Sequence, residues 1–367
     1  MEILEEDFEA GKLNKMSLNP RKDLDYKKKM RERIEKMRVC LKGWAALAVL
    51  MALLAWPAAA DATSCTTQAE MVGLDRGALT AAGGRLAMAV AEQDESALKA
   101  ALLPAVAADW DGIRQAAEDG AVLMKGGQVQ LRALYLLDAG SLTAPADTQF
   151  FCSNTSGTMT VTLNMRALPP GRYGVVLADA TGAPNAGQLG LLLAWDGVAS
   201  VWKLGGLSAR PGSLDGQDGV WWWSRARELA QDGQGWPAWY ACDLARSLLV
   251  PVDFLSSPNL EKLGAEQLAI KNSPQNAFPL TLPDGPRTWK IDAVHVDETL
   301  LHADLAVSYE STGVTDPAAQ RTEAIAVLTA FLKAQPALRQ SFHGLWAYAV
   351  KGDKRTAVLE LAMGQIP

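Results

Sequence analysis

Residues 37–60, MRVCLKGWAALAVLMALLAWPAAA, constrain this chain more than any other stretch. Arg38 and Lys42 supply a positive start. Residues 44–56 form an uncharged apolar run of 13, and Pro57 breaks it. Ala58, Ala59 and Ala60 offer the small residues that a signal peptidase needs, so the segment reads as a secretory signal peptide. Such a segment removes itself and everything before it from the fold. The first 36 residues hold 10 Lys and Arg and 9 Asp and Glu, too much charge to build a core. They read as a disordered charged extension or as a mis-assigned start, with translation beginning at Met37. The competing reading keeps the extension in the cytosol and leaves residues 43–60 in the membrane as an anchor, with the basic run 27–33 on the inner side. An apolar run of 13 falls short of the ~20 residues a span needs, which favours cleavage before Asp61. Under both readings residues 61 onward leave the cytoplasm, and the expected location is periplasmic or extracellular.

The stretch 61–367 carries 23 Lys and Arg against 32 Asp and Glu, a net charge of −9. An acidic chain with scattered Arg argues against nucleic acid or an anionic lipid surface as partner. Its many Ala and Gly and few Lys suggest a bacterial source with a GC-rich genome. Three cysteines remain after Cys40 leaves with the signal, so one disulfide and one spare thiol are expected. Cys65 lies near the mature N-terminus and Cys152 beside a turn, whereas Cys242 sits in an apolar helical segment. The expected bridge is therefore Cys65–Cys152, with Cys242 buried and inert. Lipidation of Cys65 is disfavoured because Ala62 stands where a lipoprotein box has Leu.

An α+β arrangement follows from the change of period along the chain. Residues 74–93 read as a helix with Leu79, Leu86 and Val90 on one face, although Gly83 and Gly84 weaken it. Asp94 is placed to cap a second helix that Pro104 stops, and residues 105–119 give a third. From residue 128 the pattern becomes short β-prone runs separated by turn residues. The run 86–98, LAMAVAEQDESAL, leading into Leu102-Leu103-Pro104, then the strand meander, then the closing run 201–207, VWKLGGL, together resemble the NTF2-like (SnoaL-like) family. The resemblance covers residues 74–210 and implies a cone: helices laid on a curved antiparallel sheet, in a domain spanning 61–210. That family hosts both enzymes and non-catalytic modules. The Asp/His pair of its catalytic members has no counterpart, since no His occurs between residues 61 and 294. The resemblance thus implies a fold and no chemistry.

Residues 211–278 read as a linker followed by a helical hairpin. Two helical runs within 219–250 flank the turn Asp232-Gly233-Gln234-Gly235, with Pro251 as the stop. The pair resembles a single tetratricopeptide-type unit, which cannot bury its own face and must dock on a neighbour. Residues 279–367 read as a small C-terminal α+β domain. It contains a β-hairpin around Glu298-Thr299, a helix capped by Asp316-Pro317 and running to about Ala334, a helical or mixed stretch over 338–348, and a closing strand.

Two constellations are candidates for function. A two-residue turn at Glu298-Thr299 would set His295 opposite His302 and Ala293 opposite Asp304. His295, His302 and Asp304 would then share an exposed face, the donor set of a two-His-one-carboxylate metal site. The simpler reading is a solvated polar face, so no metal is assigned. His343 is expected to pack or cap beside Gly344. The second constellation is aromatic. Trp221, Trp222 and Trp223 span about 200° of a helix, so one stripe cannot bury them all. With Trp236 and Trp239 on the next helix they form either an interdomain clasp or a stacking surface for a ligand. No catalytic triad, zinc knuckle or nucleotide fingerprint is recognisable, no cofactor is called for, and the catalytic residues, if any, are unknown. The expected function is that of an exported bacterial binding or assembly module for an unidentified protein or small molecule. The alternatives are an extracytoplasmic enzyme, a hydrolase by default, with its site between the two α+β parts, and a membrane-anchored envelope component.

Overall fold

The computed structural model describes residues 63–153, 160–183 and 186–367. The charged extension, the signal segment and its alternative as an anchor lie outside the described residues. Among the described residues no helix is long and apolar enough to cross a membrane.

The chain is α+β. Strand β1 (Ser64–Thr67) precedes three helices, α1 (Gly73–Ala91), α2 (Glu95–Ala101) and α3 (Trp110–Met124). Asp94 caps α2 as its position in the sequence suggests, accepting the Ala97 N–H at 3.0 Å. Strands β2 (Gln128–Asp138), β3 (Ala146–Ser153), β4 (Thr160–Leu168), β5 (Arg172–Thr181), β6 (Gly187–Asp196) and β7 (Val201–Pro211) follow. They do not make one continuous meander. β1, β2, β5, β6 and β7 form an antiparallel five-stranded sheet in that order. β3 and β4 leave it for a second sheet, which β10 (Leu255–Ser256) completes from beyond the helical hairpin. Central strand β5 is buried on both faces, which explains its nearly unbroken apolar run. Leu134, Val176, Ala178 and Leu191 pack under α1–α3. Tyr135, Leu137, Val175 and Leu177 point the other way, onto Phe150, Leu163 and Met165 of the second sheet.

The disulfide joins these two sheets. Cys65 on β1 bonds Cys152 on β3, with Cα atoms 5.1 Å apart across 87 residues of sequence. Among the described residues Cys242 is buried and unpaired, and burial pushes its thiol up to about 12. It is inert at neutral pH.

A short β-ribbon, β8 (Ser213–Leu214) and β9 (Gln217–Asp218), leads into helices α4 (Gly219–Gln231) and α5 (Gly235–Leu249). Helix α6 (Pro258–Leu268) packs beside α5. The last sheet runs β11 (Leu280–Asp284), β12 (Arg287–Asp297), β13 (Asp304–Glu310), β14 (Gly344–Lys351) and β15 (Lys354–Ala362). β13 and β14 pair in parallel, and helix α7 (Pro317–Ala334) makes the crossover between them. The stretch 338–348, read as helical or mixed, is mixed. Only a 3₁₀ turn, Pro336–Gln340, forms there before β14 starts at Gly344, because Leu345 and Ala347 alternate into the core.

Leu305, Val307, Tyr309, Leu345 and Ala347 face α7 and the helical hairpin in one core with Tyr240, Leu244 and Leu248 of α5. Residues 62–367 form one compact unit.

Replacing Cys65 and Cys152 together by Ala frees an 87-residue loop in the unfolded chain. We expect a loss of about 4 kcal/mol in urea-unfolding free energy, with the native secondary structure retained.

Candidate functional site

The tryptophans do not act as one surface. Asp218 caps α4, taking the Trp221 N–H at 2.8 Å, and this fixes the rotation of the three rings that follow. Trp222 turns inward, is 5% exposed, and stacks on Phe342 with rings 6.1 Å apart and 10° from parallel. Trp221 is 42% exposed and meets Trp222 edge-on. Trp236 packs among Tyr240, Phe278 and Phe331. Trp239 is half-buried against the same core. Trp223 makes polar contacts instead. Its Nε1 donates to Glu266 Oε2 at 2.7 Å, and Arg227 lies 4.3 Å above its ring. Arg227 also donates to both Glu266 oxygens, at 2.8 and 3.0 Å. These bonds hold the Glu266 carboxyl below its usual range.

The Trp223–Arg227–Glu266 clasp borders a cleft of about 600 Å³ among α4, α5, α6 and the segment after α6. Ala226, Ala230, Ala269 and Ile270 give it an apolar lining. Cys242 also lines it, and Arg227, Glu266 and Lys271 are its charged residues. Its volume is in the range of small-molecule pockets.

The histidines assemble differently from the two-residue-turn reading. β12 and β13 pair His295 with Ala306 and Asp297 with Asp304, so the connection is wider and His302 lies within it. The reason is a long-range partner. Asp215, in the β8–β9 turn, accepts from His302 Nδ1 at 2.6 Å through Oδ1 and from the Ala303 N–H at 2.9 Å through Oδ2. Residues 302–303 are thereby drawn out of the ladder that a tight hairpin would need. His302 stacks on His343 instead of facing His295, with ring centroids 4.0 Å apart.

His343 donates from Nδ1 to Asp304 Oδ1 at 2.9 Å. Asp304 is 1% exposed. Gly344 lies beside Asp304 across β13–β14, and Glu360 opposes Trp346 across β14–β15. One ligand atom each from Asp304, His343 and Glu360 lie within 4.8 Å of one another. Burial pushes the Asp304 carboxyl up, against the pull of His343. Burial and the neighbouring Asp304 charge push Glu360 up as well. The hydrogen bond to Asp215 raises His302. His295 shares the Asp304 face of the sheet by strand alternation. Its Nε2, however, accepts from Arg355 at 2.8 Å, and burial lowers its pKa. Of the sequence candidates, His302 and Asp304 therefore meet through His343, and His295 stays apart. Glu360 and Asp215 were not legible as site residues. Their only signals are a charged residue alternating with the core-facing Leu359 and Leu361, and an Asp-Gly turn.

A second cleft of about 650 Å³ lies between the two α+β parts. Asp119, Val122 and Leu123 of α3, Ala209 and Pro211 of β7, and residues 296–301 line it. Asp297 and Glu298 bring carboxylates to it, and burial pushes the Glu298 carboxyl up.

Comparison with protein-family models, with curated proteins and with solved structures finds no match to this chain.

Adjacent tryptophans with different surroundings should respond differently to truncation. Trp222→Ala should cost about 3–5 kcal/mol of unfolding free energy, and Trp221→Ala about 1 kcal/mol or less. Urea titration followed by circular dichroism measures both.

Proposed function

We propose that this protein is exported and works by binding a small, largely apolar molecule that carries an anionic group. The observation that carries this reading is the cleft of about 600 Å³ among α4, α5 and α6. It combines an apolar lining with the cationic residue Lys271 among those that border it. The clasp of Trp223, Arg227 and Glu266 holds one wall before any ligand arrives, which lowers the ordering cost of binding. The aromatic residues thus support the pocket from behind instead of stacking on its occupant.

Export is supported by the signal-like residues 37–60 and by the disulfide, which persists in oxidising compartments. The same reading takes residues 74–210 as an NTF2-like cone acting as scaffold, supported by three helices on one face of an antiparallel sheet. It takes α4 and α5 as a tetratricopeptide-like pair that α6 and the C-terminal core cover.

One observation favours an extracytoplasmic hydrolase as second reading. Asp119, Asp297 and Glu298 share the cleft between the α+β parts, and a buried carboxyl with raised pKa suits a general acid.

The dye 1-anilinonaphthalene-8-sulfonate, apolar with one sulfonate, tests the binding reading. It should bind with micromolar affinity and gain fluorescence. Ala230→Trp, which fills the cleft, should abolish the gain, and Lys271→Glu should weaken binding about tenfold. Dye binding that ignores both substitutions defeats the reading. Turnover of an ester or glycoside panel that disappears in Glu298→Gln would move the assignment to the hydrolase.

A further inference from the structure

We propose that Asp304, His343 and Glu360 form a binding site for one divalent transition-metal ion of the zinc type. The site shares no residue with the cleft on α4–α6, so it stands whether or not that cleft binds a ligand.

The donor atoms of the three side chains already converge, lying within 4.8 Å of one another. Ligands around a tetrahedral zinc are separated by roughly 3.4 Å, so the His343 Nδ1–Asp304 Oδ1 pair, now at 2.9 Å, would open slightly and the wider separations would close to admit the ion. The carboxylates are also incompletely satisfied. Asp304 is 1% exposed, and its Oδ2 has no hydrogen-bond partner among the described residues. Glu360 is half-buried, and its Oε1 is out of solvent and likewise without a partner among the described residues. Buried acceptor oxygens on neighbouring carboxylates are unfavourable unless a donor or a cation compensates them. A cation held among the three side chains compensates the charge of both carboxylates.

The backbone leaves space for this convergence. β14 passes between the two carboxylates at Gly344. A Cβ there would lie 2.6 Å from Glu360 Oε1 and 2.9 Å from Asp304 Oδ1. Any other residue would push the acids apart, so glycine at 344 keeps the donors together.

One imidazole with two carboxylates selects among cations. Zinc and its neighbours accept mixed nitrogen and oxygen donors, whereas magnesium and calcium favour all-oxygen sets. In the metal-free state His343 Nδ1–H donates to Asp304 Oδ1. On binding, that proton leaves to solvent and the ion takes its place on Nδ1. Asp215 and His302 hold the ring from outside. Asp215 fixes His302, and His302 stacks on His343 at 4.0 Å. Such supports tune metal affinity without touching the ion. Three protein ligands leave at least one coordination position for water or an incoming group.

Calorimetric titration of the purified, EDTA-treated full chain with zinc chloride tests the site. The expected result is one ion per chain with micromolar or tighter affinity, not displaced by millimolar magnesium chloride. Glu360→Gln and His343→Ala should each weaken binding at least tenfold. Both should keep the circular dichroism of the parent, and Glu360→Gln should also keep its metal-free unfolding midpoint, whereas His343→Ala lowers it by leaving Asp304 unpaired. His295→Ala and Cys242→Ser should bind as the parent does. Absence of zinc binding, binding that survives both ligand substitutions, equal competition by magnesium, or loss in His295→Ala or Cys242→Ser would each overturn the assignment.

Discussion

Burial of α5 on all sides is the constraint on which the rest depends. Gly235, Pro237, Ala238, Tyr240, Ala241, Cys242, Leu244, Ala245 and Leu248 are all buried, far more than one apolar stripe. A helix of this kind is stable only inside a protein. One side meets α4 and α6, and another meets the core of the C-terminal sheet. Its end is tied to the first half of the chain, where Gln188 of β6 donates to the Leu248 carbonyl at 2.8 Å. Just beyond, Val252 packs into the core between the first two sheets. The two α+β parts are therefore joined through a shared interior and not through a flexible connection.

The same joining creates the polar clusters. The β8–β9 turn leaves the first sheet and brings Asp215 to His302 and Ala303 of the last one. The cost is visible in the ladder, where β12 and β13 open into a wider connection. The return is a set of two histidines and two acids at the end of the C-terminal sheet, one acid fully desolvated. Burying a carboxylate beside another is unfavourable in a purely structural role, because packed apolar residues would do as well. An arrangement of this kind points to a partner with positive charge.

Much of the organisation was legible in the sequence. The period change near residue 128, the Asp94 and Asp316 caps and the Cys65–Cys152 bridge depend on local rules, and the structure agrees with them. The candidate site was legible only in part. Turn spacing marks His302 and Asp304 but pairs them with His295, which the structure keeps apart. Hairpin register follows local turn chemistry unless a distant group competes for the same backbone donor. Asp215 competes here, from 88 residues away for the Ala303 N–H. Likewise Glu360 reads as an ordinary charged strand residue until β14 sets it beside Asp304.

By itself the sequence determined what depends on neighbours along the chain: the signal-like segment, the helices and strands, their caps, and which cysteine was left over. These follow from periodicity, charge and turn residues within a few positions. Tertiary structure alone decided which strands leave the first sheet for the second and which tryptophan faces inward. It also decided that His302, His343, Asp304 and Glu360 share one corner. Those outcomes rest on contacts between residues tens of positions apart, and their energies enter only when α5 is buried and the sheets close around it.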